Sequence, residues 1–364
     1  MQWIHSRFRF RAGFASVAAI AVAGLVIAGC GSSSSSDSTA SSDGGEKTAD
    51  NGTLCVSSLV GYSIVPDLLK TWSNAAEANG MKYTSAIADP EGDVQSSQAN
   101  LESCVRDEAK VAVNITTPDE TLAPSIQKLG SNGDFYIGQY SGEPVAGQAL
   151  SFGPNDEGMS KQLFDFAEEN LVKTGEKPTV LAITSSAIPV VVVRVGEFVR
   201  LAEEAGWNVV GPIEIEPVNV AQQTASKTAA ALRSNPDINM MLAFTDEVTS
   251  GAEPAIRDAG ADVNILSFEG LEPTYSKMRE GNSLVAAVAA APMQVYNDYS
   301  TWAVSRMLGD EWEADTVTKC LGTVVTPENV PPPNTLNQGG ECVENGTSYS
   351  ADELTKLAEE TAAG

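Results

Sequence analysis

The sequence predicts an α/β fold of two domains, each built on a parallel sheet with helices on both faces. From residue 52 onward, short apolar runs alternate with segments of helical period. That alternation, rather than separate blocks of strands and helices, calls for parallel strands joined by helical crossovers. About 310 residues carry the pattern, more than one hydrophobic core accommodates comfortably.

The elements follow in order. Leu54–Leu59 reads as a buried strand. Val65–Ala78 reads as a helix, with Pro66 in its first turn, Val65, Leu68, Leu69, Trp72 and Ala76 on one face, and Gly80 as its stop. Met81, Tyr83, Ser85 and Ile87 alternate as a strand, residues 94–108 form a helix with Val94, Leu101 and Val105 inward, and Val111–Ile115 is again a strand. Further strands fall near 134–138, 179–183, 208–215, 239–244, 263–268 and 284–289, and helices near 157–172, 191–205, 220–234, 247–259, 273–280 and 293–308. Residues 189–195 (PVVVVRV) look locally like a strand, yet Val191, Val195, Phe198, Leu201 and Ala202 continue a helical face, which decides for helix. Pro254 is expected to kink its helix. After Val330, a triple proline, Gly339-Gly340 and Cys342 describe an irregular extension closed by a short helix near 352–360.

Ahead of this body, Arg7, Arg9 and Arg11 precede the apolar run Phe14–Ile27, which leads into Ala28-Gly29-Cys30. A positive region, a short apolar stretch and a small-residue exit make a secretion signal. The run has 14 residues, whereas a membrane-spanning helix needs about 20. The segment resembles a lipobox, so residues 1–29 are expected to be removed and Cys30 to carry lipid. Residues 30–51 are Ser-rich with almost nothing to bury, a tether that chain entropy keeps disordered, with a reach of about 25 Å. The protein is therefore expected outside the cytoplasm, held to the cell membrane through Cys30.

Removing the leader takes the formal net charge from −26 to −29, so nucleic acid is not an expected partner. The single histidine, His5, lies in the leader. Ser-His-Asp and Cys-His catalysis and the usual His-containing zinc site are excluded for the mature chain, and no metal or cofactor is expected. Four cysteines remain beyond Cys30, none in a CxxC spacing, in a compartment that permits disulfides. Of three possible pairings, the one joining sequence neighbours, Cys55 with Cys104 and Cys320 with Cys342, is expected, each bridge stabilising by about 3–4 kcal/mol.

The stretch Asn239–Gly309 resembles the C-terminal half of the type I periplasmic binding proteins, the ribose- and galactose-binding group. It carries Thr245-Asp246 after a strand, a helix with Gly251-Ala252 and an Ala259-Gly260 stop, then Phe268-Glu269-Gly270, then a strand leading to Ala290-Ala291-Pro292. In the family these positions read Asn-Asp, Phe-Asp-Gly and Gln-x-Pro. Gln98, Thr117-Pro118-Asp119, and Arg194 with Phe198 also fit the family's order, so that the resemblance spans most of residues 52–330. It implies two similar Rossmann-like lobes joined by a three-segment hinge, with a ligand captured between them by hinge closure. By analogy one lobe comprises 52–152 plus 291–322 and the other 153–290 plus 323–364. The partner it implies is the permease of an ABC importer, and the chain is expected to act as a monomer.

The same resemblance nominates ligand-contact positions. Tyr62 and Tyr140 sit where the family stacks aromatic rings on its ligand, with ordinary loop packing the alternative. Gln139 stands beside the position of a sugar-holding aspartate. Arg194 would fork onto paired hydroxyls or a carboxylate, or else form a surface ion pair. Asp246 either touches ligand or caps its helix, and Thr245 shares that ambiguity. Glu269 occupies the ligand-carboxylate position. The loss of an amide at Ala290 and of a carboxylate near Gln139 weakens a sugar reading, because each hydroxyl left unpaired in a closed cleft costs about 1–3 kcal/mol. A sugar or polyol still leads over other small molecules because it is the family's common cargo.

No phosphate-cradling GxxxxGK[ST] loop is present, as expected if a separate chain hydrolyses ATP. A ligand-sensing lipoprotein that reports to a membrane receptor is the alternative. A hydrolase using paired carboxylates would have only Asp246 and Glu269 placed for it, and a non-enzyme is expected.

Overall fold

The computed structural model describes residues 51–363 apart from residue 174. The leader, Cys30 and the tether through residue 50 lie outside the described residues.

Strand β3 (Val111–Ile115) is buried along its whole length, as a strand covered on both faces must be. Beside it run β1 (Thr53–Ser58) and β4 (Phe135–Gln139), then β2 (Lys82–Ile87) outside β1 and β5 (Leu150–Pro154) outside β4, all parallel. Helices α1 (Val65–Ala78), α2 (Val94–Arg106) and α3 (Asp119–Asn132) make the crossovers. The edge strand β2 is mostly exposed and carries Lys82, which blunts it against foreign pairing.

The second lobe repeats the plan. Its strands β6 (Thr179–Thr184), β7 (Asn208–Glu214), β8 (Met240–Ala243), β9 (Asn264–Glu269) and β10 (Val285–Ala290) lie in the order β7-β6-β8-β9-β10. Around them pack α4 (Asp156–Asn170), α5 (Pro189–Glu204), α6 (Val220–Ser234), α7 (Asp246–Ala259) and α8 (Glu272–Arg279). In α5, Val191, Val195, Phe198 and Ala202 are buried while Val192 and Val193 are 49% and 41% exposed, so the helical period prevails over the β-branched run. In both lobes the order along the sheet reverses once, between β1 and β3 and between β6 and β8. At such a switch point adjacent loops leave in opposite directions and open a crevice at the C-terminal strand ends.

The chain crosses between lobes at Asn155, after β5. It returns after β10 into α9 (Met293–Leu308), which binds α1 through Asn74 Nδ2 to Asn297 Oδ1, 2.8 Å. It crosses again at Gly322, between β11 (Thr316–Leu321), parallel to β5, and β12 (Thr323–Val325), antiparallel to β10. To these three expected segments the chain adds a fourth. Residues 326–340 lead back to β13 (Glu341–Glu344) and β14 (Thr347–Ser350), and β13 pairs with β11.

The expectation that all of 323–364 accompanies the second lobe is corrected accordingly. Only β12 joins that sheet, whereas the hairpin brings the first sheet to eight strands and α10 (Ala351–Ala363) lies against α9, Thr355 Oγ1 donating to Asp298 Oδ2 at 2.7 Å. The physical reason is the edge of β11, which would otherwise present unpaired backbone groups. The extension is irregular, as expected, over residues 326–340 and closes in a helix, but between them Asn345 and Gly346, both at positive φ (46° and 87°), turn β13 into β14. Both expected disulfides are present: Cys320 faces Cys342 in the β11–β13 register, and Cys55 on β1 joins Cys104 on α2. Among the described residues no helix is long and apolar enough to cross a membrane.

Candidate functional site

At the C-terminal ends of both sheets the lobes enclose a cavity of about 30 Å³, room for a water molecule or two. Tyr62, Ser63, Thr116 and Tyr140 line it from the first lobe, and Ile188, Val190, Arg194, Thr245 and Glu269 from the second. A larger interlobe groove of about 390 Å³ adjoins it, with Tyr140 and Val190 lining both spaces. Four of the cavity residues, Ser63, Thr116, Tyr140 and Glu269, hold left-handed backbone angles, φ 58°, 67°, 57° and 80°. Each such angle costs a non-glycine residue on the order of 1–3 kcal/mol, and strain of this kind persists where the surroundings impose it, as binding sites do.

Arg194 is the electrostatic centre. It is 1% exposed; its Nε donates to Asp156 Oδ1 at 2.9 Å, its Nη1 donates to the Phe244 carbonyl at 2.8 Å, and Nη1 lies 3.6 Å from Glu269 Oε1. The guanidinium also covers the Phe268 ring, 4.6 Å from its centroid. Burial pushes the Glu269 carboxyl up to about 8, with Asp246 and Glu247 adding repulsion and Arg194 and Ser63 opposing the rise. Burial likewise raises Asp156 to about 6 against the pull of Arg194.

Ser63 carries the seam between the lobes. Its backbone N–H donates to Glu247 Oε1 at 3.0 Å and its hydroxyl donates to Glu269 Oε2. Beside it the Tyr62 hydroxyl and Glu247 Oε2 are buried without a hydrogen-bond partner. Burial first, then the carboxylates of Glu247, Glu269 and Glu91, raises the Tyr62 phenol above its ordinary range.

Of the seven nominated positions the cavity brings together five: Tyr62, Tyr140, Arg194, Thr245 and Glu269. Gln139 is corrected. Its side chain is fully buried on the α1 side, Oε1 accepting the Trp72 indole N–H at 2.7 Å, because strand alternation sends residue 139 into the core while Tyr140, off the strand end, turns to the cleft. Asp246 neither lines the cavity nor caps its own helix. The cap is Thr245, whose Oγ1 accepts from Val248 N at 3.5 Å, while Asp246 Oδ2 accepts from Gly270 N and Leu271 N at 3.1 and 3.2 Å and fixes the loop behind Glu269. Burial raises the Asp246 carboxyl to about 7. Arg194 is neither a free fork nor a surface pair, since its ion pairs are internal.

Sequence reasoning passed over Ser63, Thr116, Glu247 and Asp156. Ser63 and Thr116 follow β1 and β3, the strands flanking the first switch point, so their place was readable from topology. Asp156, 38 residues from Arg194, carried no local signal.

No family model and no curated protein matches the chain. Solved structures do. A sugar ABC transporter protein from Yersinia enterocolitica subsp. enterocolitica 8081 is similar with a TM-score of 0.69 at 14% identity, over 86% of this chain and 96% of its own. A 5-methylthioribose transporter solute-binding protein from Thermotoga lettingae TMO, in complex with 5-methylthioribose, matches with a TM-score of 0.68 at 16% identity, over 78% of this chain and 88% of its own. An ABC transporter solute-binding protein from Agrobacterium vitis with bound allitol gives 0.67 at 13% identity, over 77% and 97%. At these identities the likeness is one of fold, and the chain has the two-lobed architecture of these proteins.

Proposed function

We propose that the chain is an extracytoplasmic solute-binding protein, anchored through lipid on Cys30, that captures a small polar molecule between its lobes and delivers it to the permease of an ABC importer. The observation that carries this reading is the cavity, placed at the switch points of two sheets with the same strand order and lined from both. The fold's neighbours support it, several of them transport proteins with a sugar or polyol bound. With the lobes in contact the cavity is smaller than any such ligand, so entry requires them to part about the crossing segments and capture to bring them together again. The protein works as a monomer, two lobes of one chain completing the site, and binding without catalysis is its activity.

A ligand that prefers the closed state raises the melting temperature by mass action. A thermal-shift screen of the mature chain across monosaccharides, polyols, amines, nucleosides and organic acids is expected to yield at least one stabilising compound. Glu269→Ala and Tyr140→Ala are expected to abolish that shift while the apo proteins stay folded; unchanged affinity in both would remove the cavity as the site.

A further inference from the structure

Among the described residues, the wall of the cavity holds polar hydrogens that no protein atom accepts. The Tyr62 hydroxyl is buried without a partner. Arg194 commits its Nε to Asp156 and its Nη1 to the Phe244 carbonyl and Glu269, which leaves Nη2 unengaged. The Thr245 hydroxyl accepts from Val248 N, and its own proton goes to no protein acceptor. The other polar groups are taken. Ser63, Thr116 and Tyr140 donate to Glu269, to the Ile115 carbonyl and to Tyr296 respectively. Glu269, the only carboxylate lining the cavity, meets Ser63 on one oxygen and Arg194 on the other. The rest of the wall is aliphatic, supplied by Val60, Ile64, Val65, Ile188, Val190 and Val191.

A polyol fits this wall poorly, because hydroxyls laid against aliphatic side chains lose their hydration and gain no partner. A protonated amine would add donors to a wall that already has donors unused, and would set its charge beside that of Arg194. An anion would enter against repulsion. The Arg194 charge is already balanced by Asp156 and Glu269, and the carboxylates of Glu247, Glu269 and Glu91 oppose negative charge at the Tyr62 hydroxyl. Exposed Glu120, Glu143 and Glu157 line the adjoining groove, where Lys319 is the only basic residue. An uncharged carbonyl oxygen, in contrast, accepts on two lone pairs and asks for no acceptor in return. Its carbon body needs only apolar surroundings. We infer, on the premise that the interlobe cavity is the ligand site, that its ligand is a small uncharged carbonyl compound with an aliphatic body, a ketone, lactone or ester whose oxygens meet these unused donors, rather than a polyol, an amine or an acid.

One carbon ring carrying different heads isolates that choice: cyclopentanone, cyclopentanol, cyclopentylamine and cyclopentanecarboxylate, with γ-butyrolactone as a further carbonyl compound and allitol as a polyol. Ligand-observed NMR titration of the mature chain gives the dissociation constants. The better of the carbonyl compounds is expected to bind at least about tenfold more tightly than the alcohol, the amine, the carboxylate or allitol. Tyr62→Phe keeps the ring and removes only the unpartnered hydroxyl. It is expected to weaken carbonyl binding by about tenfold while the ligand-free melting temperature stays level or rises, since no hydrogen bond within the protein is lost.

Infrared spectroscopy supplies a second readout that a change in folding would not imitate. Hydrogen bonds to the bound carbonyl lower its stretching frequency, and Tyr62→Phe should return part of that shift. The inference is overturned if neither carbonyl compound binds, or if the alcohol, the amine, the carboxylate or allitol binds as tightly. Carbonyl binding that is indifferent to Tyr62→Phe, with no displacement of the stretching band, overturns it as well. Each of these results leaves the solute-binding reading standing where the thermal-shift screen yields a stabilising compound of another class. If that screen is blank and nothing co-purifies with the chain, the solute-binding reading falls and this inference with it.

Discussion

Asp156 and Arg194 meet with little access to water, 6% and 1% exposed, so the energetic consequence of parting them is set by the charge left behind. Asp156→Ala would strand a buried guanidinium beside a single raised carboxyl, a loss of about 3–5 kcal/mol. Arg194→Met in the same background removes the orphaned charge and is expected to recover part of the loss, a coupling that chemical denaturation of the two single variants and the double variant would measure. Equal losses that simply add would mean the pair is not coupled. Such residues show what a sequence reveals at this scale. Arg194 and Glu269 stood out through the family resemblance, which matches one to a helix and the other to a strand end that face the ligand. Asp156, however, is tied to Arg194 only through the folded chain, and Gln139 and Tyr140 are told apart only by the left-handed turn that ends β4.

Among the elements, the long amphipathic helices and the apolar central strands were legible because their burial writes a period into the sequence. What escaped were segments whose burial is partial or interrupted. Helix α3 has Leu122, Ile126 and Leu129 inward but also Pro124 inside it, and β5 mixes Gly153 and Pro154 with alternating burial. Asn345-Gly346 was a readable hairpin turn between two strands too polar to announce themselves. At Gly322 the crossing between β11 and β12 is so close that a Cβ would sit 1.8 Å from the Ala290 carbonyl oxygen. Gly322→Ala should therefore destabilise by about 1–3 kcal/mol and weaken ligand capture along with stability, since it displaces a segment on which the lobes turn; an unchanged melting temperature would show the crossing tolerant. The Cys320–Cys342 bridge closes a 22-residue separation, worth about 3 kcal/mol in the loop-entropy picture. Cys320→Ser with Cys342→Ser should raise amide exchange in residues 341–363 more than in the second lobe.

For the whole molecule the buried carboxyls act together. Asp119 and Asp156 are raised to about 6, Asp246 to about 7 and Glu269 to about 8, in every case chiefly by burial. The unfolded chain returns each to the ordinary carboxylate range near pH 4. Across the interval from about 4 to about 8 the folded state therefore binds more protons than the unfolded one, and stability falls as pH rises. The contribution is complete below the unfolded values and is lost as pH passes successively through 6, 7 and 8. Net charge works in the same direction, because a chain this acidic repels itself more strongly once its carboxyls ionise. The ligand-free protein is thus expected to melt several degrees higher at pH 5 than at pH 8, a loss of at least about 2 kcal/mol. Glu269→Gln and Asp246→Asn together should flatten the upper half of that profile, since they remove the two groups that titrate last. A melting temperature that climbs from pH 5 to pH 8 would mean that these carboxylates are ionised and well solvated in the folded chain, contrary to the burial that raises them.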